Sequence, residues 1–145
     1  MAMKHLRLPL IAAAAVALAS CSDSLTSADA TNSEAVTLGQ TLYGANCASC
    51  HGKDLRGQPN WREPQEDGTL PAPPHDESGH TWHHDDQLLF NYTKQGGAGV
   101  APPGFKSAMP GFGECLSDEE IWSVLSYIKS RWSLKAQARQ GGLNK

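Results

Sequence analysis

Two stretches of this chain, residues 52–83 and 96–114, show neither helical nor strand periodicity, and together they hold about 50 residues. Compact domains seldom contain so much irregular chain, because every backbone group outside a helix or sheet needs a partner from elsewhere. The full sequence has 145 residues, enough for one domain. Most of its 14 glycines and 9 prolines fall between residues 52 and 113. A domain built this way is expected to wrap its loops around something other than peptide, a large flat body with an apolar surface.

The two ends read differently from the middle. Met1 to Arg7 carries Lys4 and Arg7, and Leu8 to Ala19 is almost wholly apolar. A short basic region before an apolar run of this length reads as a secretory signal, too short to span a bilayer comfortably. The run closes on Leu18-Ala19-Ser20-Cys21, which resembles a bacterial lipobox with Cys21 as the acylated residue. An ordinary cleavage near Ala19, with Cys21 incidental, is the plainer alternative. The expected organisation is a signal peptide over 1–20, then a lipidated cysteine and flexible polar tether over 21–36. A folded domain over 37–132 and a polar tail over 133–145, expected to fray, complete it. The fifteen tether residues would give a reach of roughly 20 Å. Removing residues 1–20 leaves ten basic against fifteen acidic side chains, a net charge of −5 with neutral histidines. That balance offers no electrostatic basis for binding nucleic acid.

Three helices are expected. The first runs from about Leu38 to Cys47, with Leu38, Leu42 and Ala45 on one face. The second runs from about His84 to Gln95 and stops at Gly96-Gly97, with Leu88, Leu89 and Tyr92 inward. The last begins at Ser117, with Glu120 three residues on to complete a capping box, and buries Ile121, Val124, Leu125, Ile128 and Trp132.

The chemistry concentrates in Cys47-Ala48-Ser49-Cys50-His51. A zinc site needs four ligands at matched spacing, and beyond this cluster the chain offers only Cys115 and scattered histidines. A redox dithiol expects a βαβ setting, and no convincing strand is legible. A disulfide between Cys47 and Cys50 would close a strained loop and leave His51 unexplained. The pattern C-x-x-C-H as an anchor for c-type haem uses every residue: two thiols on one helical turn and an imidazole on the next position.

From about Val36 to Trp132 the chain resembles the small monohaem class I cytochromes c. Gly39 and Tyr43 stand as that family's "GxxxY" on the first helix, and Tyr127 in "SYIKS" is its aromatic partner on the last. "APPH", residues 72–75, stands as the proline loop, and Ala108-Met109-Pro110-Gly111-Phe112 as the methionine loop. The resemblance implies an all-α class I cytochrome c fold, three main helices and long loops around one covalent haem c. It implies attachment through Cys47 and Cys50, iron ligation by His51 and Met109, and a hydrogen bond from His51 Nδ1 to the carbonyl of Pro73. His75 departs from the family, which often has leucine there.

The function implied is one-electron transfer between redox proteins, a reductase and an oxidase for example, by an exported monomer on the periplasmic side of a bacterial membrane. It would be tethered there by a lipid on Cys21. With both axial positions filled, no enzyme is expected. Two rival readings remain at this stage. One is a haem sensor or peroxidase-like protein with a labile sixth ligand. The other is copper handling by His80, His83 and His84 in "HDESGHTWHHDD". Trp61, Trp82 and Phe105 could line the haem pocket or serve as ordinary core, and Cys115 is expected to be a buried free thiol, the alternative being a cysteine that dimerises the protein.

Overall fold

The structure, a computed structural model, describes residues 24–144. Cys21 and the leader lie outside the described residues. Six helices and no strand occur among the described residues: α1 (Ser33–Asn46), α2 (Ala48–His51), α3 (Asp86–Gln95), α4 (Gly97–Val100), α5 (Asp118–Ser130) and α6 (Leu134–Gly141). A single 3₁₀ turn, Thr81–His83, interrupts the first long loop. The three expected helices are α1, α3 and α5.

α1 starts five residues earlier than its apolar pattern suggests, because Asn32 caps it. The Asn32 side chain accepts from the amides of Glu34 and Ala35, both at 3.1 Å. Its buried face also differs from the expected one. Ala35, Gly39 and Tyr43 are buried, whereas Leu38 is 42% exposed and Ala45 lies outside. The reason is the crossing with α5. A Cβ on Gly39 would sit 1.9 Å from the carbonyl oxygen of Ser123 and 3.0 Å from Cβ of Tyr127. Only a residue without a side chain admits that approach, and the ring of Tyr43 then meets that of Tyr127 with centroids 5.4 Å apart.

α5 is the centre of the domain. Its capping box forms as expected, with Ser117 Oγ accepting from Glu120 N–H and Glu120 Oε2 accepting from Ser117 N–H at 2.8 Å. The expected stripe is buried, and burial in fact runs unbroken from Ile121 to Ile128. A helix covered on all sides has neighbours on all sides. α1 takes one flank, Phe90 of α3 stacks on Trp122 at 4.3 Å on another, and the N-terminal segment takes a third. Leu88, Leu89 and Tyr92 are only partly buried, and the inward positions of α3 are Asp86, Phe90 and Thr93. The helix begins at Asp86, two residues late, because Asp85 is its N-cap, accepting from Leu88 N–H at 2.8 Å.

Both ends of the described chain depart from expectation. The tail does not fray: α6 buries Ala136 and Gln140. The stretch read as a free tether is held from Leu25 onward. Leu25 packs on the core, Ala28 is buried, and Asp29 N–H donates to Ser126 Oγ at 2.9 Å. One buried ion pair ties these ends together. Asp86 meets Lys129 Nζ at 3.2 Å, and its carboxylate also accepts from Gln140 Nε2 at 2.6 Å and Asn144 Nδ2 at 2.8 Å. Lys129 in turn donates to the Ala28 carbonyl at 3.2 Å. Composition hid this, since polar residues seldom read as core until their partners are known.

Candidate functional site

The site begins where α1 stops. Cys47 is both the C-cap of α1 and the N-cap of α2, and its carbonyl accepts from the amides of Cys50 at 3.1 Å and His51 at 2.9 Å. That turn brings two thiols and an imidazole onto one short element. Cys47 is buried, Cys50 is exposed, and both are free thiols. Burial, with Cys50 adding to it, pushes the Cys47 thiol up to about 11. A dithiol active at neutral pH needs the opposite shift.

His51 is 7% exposed, and its Nδ1 lies 2.8 Å from the carbonyl oxygen of Pro73, the contact that the family resemblance implied. A carbonyl only accepts, so Nδ1 carries the proton and Nε2 keeps its lone pair. Desolvation lowers the basicity of the ring, with the Pro73 bond opposing it, and the imidazole is neutral at pH 7. A neutral ring with a fixed tautomer is what a metal ligand requires.

The loop 52–57 puts Pro73 there. It turns through positive φ at Gly52 (81°), Leu55 (64°) and Gly57 (67°). Gly57 N–H donates to the His51 carbonyl at 2.8 Å, and the Leu55 carbonyl accepts from His75 N–H at 2.7 Å. Gln58 closes the clasp: its N–H donates to the Ala72 carbonyl at 2.9 Å, and its side chain accepts from Ala72 N–H at 2.8 Å. A Cβ on Gly57 would stand 2.6 Å from Ala72 O, Pro73 C and Pro74 N. Gly57 and the buried Leu55 are thus site-forming residues that the sequence reading passed over. The pair Gly52 and Gly57 bracketing a short polar turn was the available signal.

His75, the departure from the family, lies against the site. Its ring stacks on that of His51 with centroids 3.9 Å apart and 20° between planes, and Tyr43 meets it edge-on at 6.0 Å. Its carbonyl accepts from Trp132 Nε1 at 2.8 Å, whereas its buried Nδ1 has no partner. Tyr43 Oη donates to the Gly52 carbonyl at 3.0 Å, so the first helix, the loop and the end of α5 converge behind His51.

Met109 belongs to a different part of the fold. Its carbonyl accepts from Gly97 N–H at 3.1 Å, and the following residues zip along the end of α3, with Phe112 N–H on Thr93 O and Gly113 N–H on Lys94 O. Two backbones touch there: a Cβ on Gly111 would lie 2.8 Å from Gln95 C, and one on Gly96 would lie 2.6 Å from Gly111 N. Met109 is therefore fixed to α3 and α4 while being half-buried itself.

Other candidates move away from this chemistry. Trp61 stacks on His80 at 5.3 Å, Trp82 lies against His83 at 3.8 Å, and Phe105 is 46% exposed. His80 and His84 approach each other at 5.3 Å, yet no group of three His, Cys, Asp or Glu side chains that could hold a metal occurs among the described residues. Cys115 is exposed and not the buried thiol expected, because the turn 112–116 points Sγ outward within 3.3 Å of the Phe112 carbonyl.

A family model described as Cytochrome c matches residues 36–132. No curated protein and no solved structure matches the chain. The match spans the helices and loops that build the site and leaves out α6. Haem c is bound covalently in this family, and the donor set fits it: two free thiols on one turn, then an imidazole with an open Nε2 lone pair. With the helical fold, the Cys47–His51 turn and the match in agreement, the chain belongs to the cytochrome c family, and its haem c is carried by Cys47 and Cys50.

Proposed function

We propose that this protein is a one-electron carrier in which His51 and Met109 would hold the haem iron, exchanging electrons with redox proteins outside the cytoplasm. The family gives haem-based electron transfer in general; its members are typically carriers and not enzymes. The axial pair, the partners and the location are the further content of the proposal. The observation that carries it is the His51–Pro73 bond, which leaves Nε2 as the only basic nitrogen of that ring. Haem supplies the electron exchange; the chain holds both donors still. Loop 52–57 and Pro73 fix the imidazole, and the close backbone contact of Gly96 with Gly111 fixes the methionine. A rigid pair of donors limits rearrangement when the charge changes. The tether would be a lipid on Cys21, after export and removal of residues 1–20.

The test is spectroscopic. Ferric wild-type protein should show the methionine-to-iron charge-transfer band, and Met109→Ala should lose it and shift to a lower potential, because a thioether favours ferrous iron. A wild type without the band, or a ferrous wild type that binds carbon monoxide rapidly at neutral pH, would replace this reading with the sensor or peroxidase-like one. The mass of the protein recovered from membranes reads out covalent haem, cleavage and acylation at Cys21 together.

A further inference from the structure

The C-terminal segment differs in charge from the rest of the chain. Residues 131–145, "RWSLKAQARQGGLNK", contain four of the twelve Lys and Arg residues and none of the fifteen Asp and Glu. The family match stops at residue 132, so all of this segment after Trp132, α6 included, lies beyond it. It is also built as a surface. α6 turns Ala136 and Gln140 inward, which leaves Leu134, Lys135 and Ala138 outward and Arg139 on the flank, all exposed. Leu134 is 83% exposed, an unusual position for leucine on a helix that is otherwise docked, and Leu143 just beyond is 43% exposed. The acidic groups that touch the segment are already engaged. The Glu77 carboxylate accepts from Ser133 N–H, and Asp86 is consumed by Lys129, Gln140 and Asn144. Arg139 lies over the ring of Trp82 at 5.3 Å and keeps its charge at the surface.

The second observation is where the chain enters. Asn144 and Ala28 are both bound to the Asp86–Lys129 pair, so the start and end of the folded unit meet at one place. Leu25 is already packed, and Cys21 lies only four residues before it, a span of about 14 Å when fully extended. A lipid on Cys21 would therefore hold this end of the domain against the bilayer.

We infer that the outer face of α6, with Leu134, Lys135 and Arg139, is a membrane-docking surface that rests on anionic phospholipid head groups. Its placement beside the bilayer rests on the acylated Cys21 proposed above; its affinity for anionic lipid does not. Exposed leucine flanked by basic side chains in a chain otherwise acidic is the complement of such a surface. With the anchor, it would set one orientation of the domain where a long free tether would set none.

The test uses haem-loaded protein starting at Ser22, which contains every described residue and has no acyl group. Co-sedimentation with vesicles of equal parts phosphatidylglycerol and phosphatidylethanolamine is compared with phosphatidylcholine alone. Salt-sensitive partition to the anionic vesicles only is expected, with a loss of roughly 25-fold in the double variant K135E/R139E, at about fivefold per basic residue. Leu134→Asp should weaken it further, and R62E/K106E, on the two long loops, should leave it unchanged. Equal partition of the wild type to both vesicle types overturns the inference, as does equal loss in the two double variants; such a face would then be left for a protein partner. An unmodified Cys21 in membrane-derived protein removes the anchor without altering the vesicle result, so the two failures are distinguishable.

Discussion

Replacing Gly57 by alanine separates the two roles of the loop behind His51. The substitution forces a side chain into positive φ, at 67°, which costs roughly 1–2 kcal/mol. It also places a methyl group 2.6 Å from Ala72 O, Pro73 C and Pro74 N, all backbone atoms that cannot rotate aside. Overpacking of that kind adds about 1–3 kcal/mol. Gly104→Ala is the internal control, because φ there is 90° and nothing lies within 4 Å of the added Cβ. The difference between the two variants isolates the clash. Gly57→Ala should melt lower than Gly104→Ala by about 4 °C or more for each kcal/mol of clash, followed by far-ultraviolet circular dichroism. Relief of the clash moves the Pro73 carbonyl away from His51 Nδ1. A weaker bond there makes the imidazole a poorer donor, which favours ferrous iron, so the potential of Gly57→Ala should rise while that of Gly104→Ala stays put. Equal melting temperatures with an unchanged potential would refute the claim that Gly57 positions Pro73.

Two further outcomes follow from the packing. Asp86→Ala leaves Lys129 charged with the Ala28 carbonyl as its remaining hydrogen-bond acceptor and frees Gln140 and Asn144, so urea titration should register a loss of about 3–5 kcal/mol; a loss below about 1 kcal/mol would mean that the ends are not held by this pair. His75 is held well below the ordinary histidine value of 6.5, first by desolvation and then by His51 and His80. The unfolded chain takes up this proton and the folded one does not, so stability present above pH 6.5 is lost as the pH falls below it, by up to about 1.4 kcal/mol per pH unit. Guanidinium unfolding of holoprotein at pH 7 and pH 5 should show that slope, and His75→Leu should flatten it by one proton; an undiminished slope in the variant would assign the effect elsewhere.

The parts of this fold that a reader of the sequence could find are those fixed by residues close together in the chain. The capping box of α5 needs only Ser117 and Glu120, and the Cys47–His51 turn needs only one turn of helix. Gly39, Tyr43 and Tyr127 were legible through family likeness, although the face they define was not the one the leucines of α1 suggested. Leucine at 38 scores as core in any helical pattern, yet the crossing with α5 demands a glycine at its centre and pushes the larger side chains aside. What stayed hidden depends on partners far along the chain. Gly57 is constrained by residues 72–74, and Gln140 is buried because Asp86 and the His84 carbonyl receive its amide. Asn32 and Asp85 each shift a helix start by capping, a local effect that apolar periodicity does not register.

The ion pair that joins the two ends has a consequence for timing. Lys129 of the pair reaches Ala28, and beside it Asp29 bonds Ser126, so the contacts here link residues about 100 positions apart. Contacts of such long range close the largest loops and form after the local helices do. Gln140 and Asn144, near the end of the described chain, complete the pocket that secures Ala28, near its start. Until the C-terminal helix arrives, the segment around Ala28 has only part of its seat. The N-terminal strand of chain is thus the final piece to become inaccessible, and a protease added during refolding should cut there first and lose its grip only when the last turn has docked.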